Sequence, residues 1–320
     1  MDFDFDDDQR AIQEVARDLL TARAPDDDRL WDELVELGWA GIAVPSEFGG
    51  QGLGMVELAL LAEEMGYACA ESPFLGTVLA AIGIDIAGSV EQRERWLPQL
   101  AAGSVAGALA LGTEGEVVPD ATPDGVLVIP AVENGRGVLA DAAGIEPIET
   151  IDPRRRHGRL VEIPAGEELA GDGLPARQRA AIVVAAELTG ICRRALDLTV
   201  AYVKERRQFD VPVGSFQAVQ HAAAQMLRET EVASVATYYA AWTADAAVEG
   251  LAEASAMAKA AASDAGRAVT AAAIQLHGGI GFTWEGDVHW LYKRAQVDSF
   301  YLGGGGAHRA ALVGALADRP

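Results

Sequence analysis

Cysteine, histidine and long hydrophobic runs are all scarce in this sequence of 320 residues. The two cysteines, Cys69 and Cys192, lie far apart in segments with helical patterns, which excludes a disulfide framework and favours a reducing cytoplasm. The five histidines are scattered, so we expect no metal site. No uninterrupted apolar run reaches the roughly 20 residues of a spanning helix, and the acidic start MDFDFDDDQR is the reverse of a secretory leader. We therefore expect a cytoplasmic protein without a membrane segment.

Basic residues are also few, since 25 lysines and arginines stand against 48 aspartates and glutamates, a net charge of −23. Such a field repels nucleic acid and anionic membranes, so neither is an expected partner. Half of the residues are hydrophobic, and a globular chain of this length is long enough for two or three compact units.

Several motifs of nucleotide and metal chemistry are missing. The stretch GGGGAHR has no Lys-Ser or Lys-Thr after its glycines and is not a P-loop. The stretch GGIGFT lacks the third glycine and the preceding strand of a dinucleotide fingerprint. There is no nucleophile elbow, no HExxH and no cysteine-rich spacing for a metal. The four consecutive glycines therefore need another explanation.

Hydrophobic periodicity divides the chain into three parts. Residues 1–105 carry helical stripes, residues 106–175 are dense in Gly, Pro and Asp with short β-prone runs, and residues 176–320 carry long helices. We predict a mainly α fold with an N-terminal helical domain, a reduced middle β-domain and a C-terminal four-helix bundle. Ser215 is the predicted N-cap of the second long helix. The basic cluster at 154–156 is interpreted as a solvated hairpin tip, with a contact for an anionic substrate or acidic partner as the alternative.

Three strings resemble the acyl-CoA dehydrogenase family. They are LGWAGIAVPSEFGGQGLGMVELALLAEEMG (37–66), ERRQFDVPVGSFQAVQHAAAQM (205–226) and QLHGGIGFTWEGDVHWLYKRA (275–295). They are similar to the family's N-terminal domain, its R-x-Q-F-G-x-P-I-x-x-F-Q segment and its Q-x-x-G-G-x-G-[FY]-T-x-E motif. The resemblance covers both helical domains and fails in the β-domain. It implies desaturation of a CoA thioester, in which a Glu carboxylate removes the α-proton and a flavin accepts the β-hydride.

The resemblance also implies an FAD site shared across a subunit interface. In the family the flavin ring lies against the β-domain of one subunit, and the neighbouring subunit helps to hold the pyrophosphate and adenine. An arginine fork suits a pyrophosphate, and glycines let the backbone approach a cofactor closely. The positions that match the neighbour's contribution are Arg206, Gln208, Phe209, Gln217, Gln275, Gly278 and Gly279.

The family's catalytic base is missing from its expected position. The family reads Y-E-G-T-S downstream of Q-x-x-G-G, and counting forward from Gln275 without a gap places Leu302 at the Glu. Gly304 and Gly305 replace the Thr and Ser that help to hold the flavin. Leucine cannot accept a proton, so the resemblance implies that this chain has no catalytic residue of its own.

Two other family features are also reduced. Some members carry the base at the start of the long helix after the β-domain, where this chain has Ala180 and Ala181. The flavin-contacting string F-x-L-T-E-P-x-x-G-S-D keeps only Thr113 and Glu114, and the W-I-[TS] flavin clamp is absent.

Three interpretations remain open. In the first, the chain is the smaller subunit of a heteromeric (α2β2) enzyme, similar to actinobacterial members that oxidise CoA esters of steroid side chains. A larger catalytic subunit would then supply the base and most of the acyl-CoA pocket, and an electron-transfer flavoprotein would accept the electrons. In the second, the chain is a self-sufficient enzyme with a displaced base, for which Glu187, Glu285 and Asp298 are the candidates. In the third, it is a flavin-free scaffold.

Overall fold

The computed structural model describes residues 4–23, 27, 29–130 and 137–317. Within these ranges the chain runs from a group of helices through a region of short strands into a second, longer group of helices. This order confirms the predicted mainly α fold with a small β region. No helix in the described ranges is long and apolar enough to cross a membrane.

The first group of helices forms from amphipathic and apolar segments. A capping box between Asp6 and Gln9 begins the first helix, in which Leu20 is buried and Val15 is 47% exposed. The fourth helix is buried on nearly all sides, as expected for an almost wholly apolar segment. The helices are α1 (Asp7–Ala22), α2 (Leu30–Glu36), α3 (Met55–Ala68), α4 (Phe74–Ala87) and α5 (Val90–Ala101).

The strand region contains two small sheets. One has the order β1-β3-β4-β7, with β1 and β3 parallel and the other pairs antiparallel. The other has the order β2-β6-β5 and is antiparallel throughout. The strands are β1 (Gly107–Leu109), β2 (Val117–Pro119), β3 (Val126–Ile129), β4 (Val138–Asp141), β5 (Ile145–Ile148), β6 (His157–Leu160) and β7 (Glu167–Glu168).

The second group of helices packs as a bundle around α6 and α8. Its members are α6 (Leu174–Glu205), α7 (Gln217–Ala246), α8 (Leu251–His277), α9 (Val288–Asp298) and α10 (Gly305–Ala317), with a short hairpin of β8 (Arg207–Gln208) and β9 (Val211–Pro212) between α6 and α7. The prediction that Ser215 caps α7 is wrong. The N-cap is Phe216, because the Ser215 hydroxyl instead donates backwards to the carbonyl of Pro212 at 2.7 Å.

The two groups of helices share one hydrophobic core, because α3 packs directly against α6. Their backbones touch at two glycines. A Cβ atom on Gly190 would lie 1.8 Å from the carbonyl oxygen of Glu63, and one on Gly66 would lie 2.1 Å from that of Glu187. This close crossing brings Glu187 to the boundary between the two groups of helices, beside the strand region.

Candidate functional site

The first cluster of predicted cofactor residues lies where α6 turns into α7. Arg206 is the C-cap residue of α6, and its backbone N–H donates to the carbonyl of Tyr202 at 2.9 Å. The next two residues form β8, and Phe209 and Asp210 complete a two-residue hairpin with φ values of 54° and 63°. Such a turn favours Asn, Asp or Gly, so Phe209 stands in a conformation that costs a bulky residue strain.

The side chains of this cluster face solvent. Phe209 is 88% exposed and lies edge to face with Phe216, with 6.2 Å between the ring centroids. Gln208 and Gln217 are exposed as well. The guanidinium of Arg206 has no hydrogen-bond or ion-pair partner among the described residues. An exposed aromatic ring beside an unpaired guanidinium is suited to a contact from outside this chain.

The second cluster lies at the end of α8, where Gly278 ends the helix with φ 63° and ψ −136°. That conformation is essentially restricted to glycine. Gly278 and Gly279 are exposed, and a Cβ on either would meet nothing within 4 Å. The glycines therefore leave an open backbone surface at the end of the helix, beside the exposed Gln275.

The structure brings these two clusters together. The ring of Tyr202, one turn before Arg206, stacks on that of His277, one residue before Gly278, with centroids 4.5 Å apart. The stack joins the last turn of α6 to the last turn of α8. All seven predicted residues therefore lie at one end of the bundle, although their roles toward a cofactor remain a prediction.

The position of the missing base is in the loop between α9 and α10. Leu302 has φ 57° and is 7% exposed, and its side chain belongs to the shared hydrophobic core. The preceding Tyr301 donates its hydroxyl hydrogen to the carbonyl of Leu109 at 2.6 Å, which ties the loop to the strand region. An aliphatic side chain in this place can exclude water but cannot move a proton.

The buried side chain of Lys259 holds this loop in place through hydrogen bonds to its backbone. The ammonium of Lys259 in α8 donates to the carbonyl oxygens of Asp298, Ser299 and Gly303 at 3.1–3.4 Å. Its side chain is completely buried, and burial lowers the pKa of Lys259 to about 7. The carbonyls at the end of α9, which would otherwise lack donors, are satisfied in this way.

Beside the loop lies a cluster of buried charges that sequence reasoning missed. The Arg155 guanidinium donates to Asp298 at 3.1 Å and to both carboxylate oxygens of Glu187, and lies 3.6 Å from Asp120. A second guanidinium, that of Arg294, extends the cluster. It is paired with Asp152 and with Glu187, and it donates to the carbonyl of Ala70.

The interpretation of residues 154–156 as a solvated hairpin tip is therefore wrong for Arg155, whereas Arg156 is exposed and Arg154 is half-buried. They do lie in the connection between β5 and β6, but the Arg155 side chain is only 4% exposed. The connection folds inward because the carboxylates of α6 and α9 need a counter-charge in the interior. A sequence signal existed in the lone charge of Glu187 within the run AAIVVAAELTGIC. Its partner, however, could not be identified from spacing.

Two of the three candidate displaced bases belong to this buried charge cluster. Glu187 and Asp298 are 2% and 0% exposed, whereas Glu285 is exposed at the surface. The cavity that touches Glu187 and Arg155 has a volume of about 10 Å³. This is room for a single water molecule at most.

Asp298 is the member of the cluster whose protonation state is most unusual. Burial and the charge of Glu187 raise its pKa to about 8, although Arg155 opposes the shift. Its Oδ2 atom has no hydrogen-bond partner, so the proton can reside there. Between the unfolded value near 3.9 and about 8, the folded chain binds the extra proton, so this group's contribution to stability falls as pH rises.

We expect Asp298→Asn to become progressively more stable than the wild type as pH increases from 5 to 7. The amide oxygen still accepts from Arg155, and the amide never has to ionise. Urea unfolding of both proteins at pH 5, 6 and 7 measures the difference, in which titrating groups that do not interact with Asp298 cancel. Asp264→Asn, in an exposed ion pair with Arg309, is the control. A pH-independent difference for Asp298→Asn would contradict the assigned protonation.

In the loop that carries Thr113 and Glu114, the backbone N–H groups donate to a carboxylate of the same chain, that of Glu116. Both residues are exposed. Glu116 accepts hydrogen bonds from the backbone N–H groups of Leu111 and Gly112 at 2.8–3.1 Å. Backbone N–H groups arranged in this way form an anion site, which here is filled internally.

Comparison with protein families matches both helical parts of the chain. Residues 6–104 match the model of the acyl-CoA dehydrogenase N-terminal domain, and residues 176–316 match the model of the C-terminal domain. The segment between them, which includes both small sheets, lies outside these two matches. This agrees with the limits of the resemblance seen in the sequence.

Comparison with individual proteins gives similar relatives over most of the chain. Acyl-CoA dehydrogenase IpdE2 of Mycolicibacterium smegmatis is 33% identical over 92% of this chain and 90% of its own length. IpdE2 of Mycobacterium tuberculosis is 38% identical over 84% of this chain and 81% of its own length.

Solved structures with the same fold cover the whole chain. The Tcur3481-Tcur3483 steroid ACAD G363A variant has a TM-score of 0.86 and 31% identity, over 97% of this chain and 98% of the other. The ChsE4-ChsE5 complex of Mycobacterium tuberculosis has a TM-score of 0.86 at 23% identity over the full length of both chains, which shows the shared fold alone.

Proposed function

Because the chain belongs to the acyl-CoA dehydrogenase family, we propose that it is the base-lacking subunit of a heteromeric, FAD-dependent acyl-CoA dehydrogenase. In this proposal it completes the FAD site of a larger catalytic subunit. The single observation that carries the proposal is the contrast between two places in the fold. The residues matching the family's cross-subunit donors are exposed and open, whereas the position of the family's base, Leu302, is packed into the core.

The donor end of the bundle would act on the partner's cofactor. Arg206 can donate two parallel hydrogen bonds to a pyrophosphate, and the open backbone at Gly278 and Gly279 permits close approach. The exposed ring of Phe209 would be covered by the partner subunit. Bound FAD supplies the hydride acceptor of the desaturation. The residues of this chain bind and orient it without taking part in proton transfer.

The chain's own half of the site is closed by three contacts. Glu116 takes the backbone donors of the loop that matches the family's flavin-contacting string. Tyr301 donates a hydrogen bond to the carbonyl of Leu109 in the strand region, and Leu302, which offers no proton acceptor, is packed into the hydrophobic core. A second FAD bound against this chain's own strand region would have to displace all three contacts.

The displaced-base alternative has less support. Glu187 and Asp298 are both held by Arg155, Asp298 is completely buried, and the cavity that Glu187 and Arg155 line has a volume of about 10 Å³, in which an acyl thioester has no room. Losing a general base typically costs about 10²- to 10⁴-fold in rate. A working site would therefore need its carboxylate accessible to substrate. The scaffold alternative does not account for the unpaired Arg206 and the open glycine turn.

For the substrate, we propose a CoA thioester with a steroid-derived acyl group. This rests on the likeness to the Tcur3481-Tcur3483 steroid ACAD, at 31% identity over nearly the whole chain. The acyl pocket would belong to the partner, and an electron-transfer flavoprotein would accept the electrons. The cysteine-poor composition is compatible with work in a reducing cytoplasm.

The FAD content per polypeptide tests this function. We expect no flavin absorbance from this chain expressed alone, and one FAD per pair of chains when it is expressed with its larger dehydrogenase partner. The partner expressed alone should bind FAD weakly, since half of the site is missing. One FAD per chain in this protein alone would refute the proposal. Full FAD binding by the partner alone would favour a scaffold.

A further inference from the structure

A cleft of about 240 Å³ lies between α1, the C-terminal end of α3 and the start of α9. Positive charge is concentrated here, although the chain has 25 basic against 48 acidic residues. The charged side chains that line the cleft are those of Arg17, Arg23, Arg154, Arg194, Glu64 and Asp287. The cleft therefore carries an excess of positive charge on a chain that is acidic overall.

Two of these arginines are already neutralised. Arg17 pairs with Glu64 at 2.8 Å, and Arg23 pairs with Glu33 and Asp27. The guanidiniums of Arg154 and Arg194 are different, because neither forms a hydrogen bond or an ion pair with any residue that the structure describes. The cleft therefore contains two guanidinium groups whose N–H donors have no hydrogen-bond partner among the described residues.

Aromatic rings hold both of these guanidiniums in place. That of Arg154 lies 4.2 Å from the centroid of the Trp290 ring, and that of Arg194 lies 5.3 Å from the centroid of the Tyr67 ring. The Tyr67 ring is itself anchored, since its hydroxyl donates to Asp197 at 2.9 Å. A guanidinium that rests on a ring keeps its N–H edges available for hydrogen bonds to another group.

We propose that this cleft binds a small phosphate-bearing anion through Arg154 and Arg194. Guanidinium groups give bidentate, charge-assisted hydrogen bonds to phosphate oxygens. The volume is below the range of about 300–1,000 Å³ for drug-sized ligands, so it suits a phosphate or diphosphate group. The two rings already contact cations, and a stacked nucleobase is therefore not expected. This inference is independent of the FAD proposal.

Isothermal titration of the full chain with inorganic pyrophosphate tests the inference. We expect saturable binding at one site, weakened about tenfold or more by Arg154→Gln and by Arg194→Gln, since each removes charge-assisted hydrogen bonds. Arg228→Gln, which removes an exposed arginine paired with Glu229, should leave binding unchanged. Absence of saturation at millimolar pyrophosphate, or equal affinity in all variants, would overturn the proposal.

Two further probes identify the source of the phosphate and guard against a misfolded variant. Adenosine 3′,5′-bisphosphate carries the phosphates of CoA's nucleotide, and tighter binding of this probe than of pyrophosphate would assign the cleft to a CoA head group. Similar binding of both would assign it to a free phosphorylated compound, and equal binding of adenosine would overturn the anion site. Pyrophosphate should also raise the melting temperature of the wild type above that in potassium chloride of the same ionic strength.

Discussion

Replacing Arg155 with methionine is expected to lower the free energy of unfolding by about 3–5 kcal/mol, the usual cost of removing one partner from a buried ion pair. Arg155 is the counter-charge of Glu187, Asp298 and Asp120, all of which are buried. Methionine fills much of the same volume but removes the cation that all three carboxyl groups share, and of the three only Glu187 keeps an ion pair among the described residues, with Arg294. Denaturant unfolding followed by circular dichroism measures the loss.

The matched control is Arg159→Met, in the same strand region. Arg159 forms an exposed ion pair with Glu146 at 3.0 Å, so its loss should cost at most about 1 kcal/mol. The double variant Arg155→Met with Glu187→Gln should recover part of the stability, because one of the buried negative charges that lost Arg155 is removed. Equal losses for Arg155→Met and Arg159→Met would show that the buried charge cluster does not hold the fold together.

Replacing Arg206 with alanine is expected to weaken FAD binding by the assembled complex about tenfold to one-hundredfold. A hydrogen bond to a charged group contributes about 1.5–3 kcal/mol, and every 1.4 kcal/mol is a factor of ten in affinity. Arg206 is exposed and unpaired within its own chain, so its removal should leave this subunit's stability unchanged. The measurement is the FAD dissociation constant of the complex, from flavin fluorescence during dilution.

Arg207→Ala is the control for this experiment, because Arg207 is adjacent, equally charged and exposed. Its guanidinium donates to the carbonyl of Asp210 within the hairpin, and it occupies the variable position of the R-x-Q-F motif. If both variants retain FAD equally well, Arg206 has no role toward the cofactor. If both lose FAD equally, the effect is one of general charge or of the hairpin's geometry.

The predictive power of the sequence was greatest where the decisive contacts are local. The mainly α fold with a small β region was assigned correctly, since periodicity and apolar content are properties of consecutive residues. Gly278 was singled out from a motif, and its φ of 63° supplies a local reason for glycine there. Ser215 was misassigned because its hydroxyl could bond in either direction along the chain.

The sequence by itself determined the family, the order of helical and strand regions and the absence of a carboxylate at Leu302, because these depend on residue identity and short spacings. Only the tertiary structure decided which charged side chains are buried and which of them pair with one another. Arg155 and Asp298 are 143 residues apart, and no local pattern pairs them. An arginine in a basic run is ordinarily solvated. Arg155 is buried because two helices and a strand connection bring carboxylates together in the interior. A cation there offsets the cost of removing these carboxylates from water.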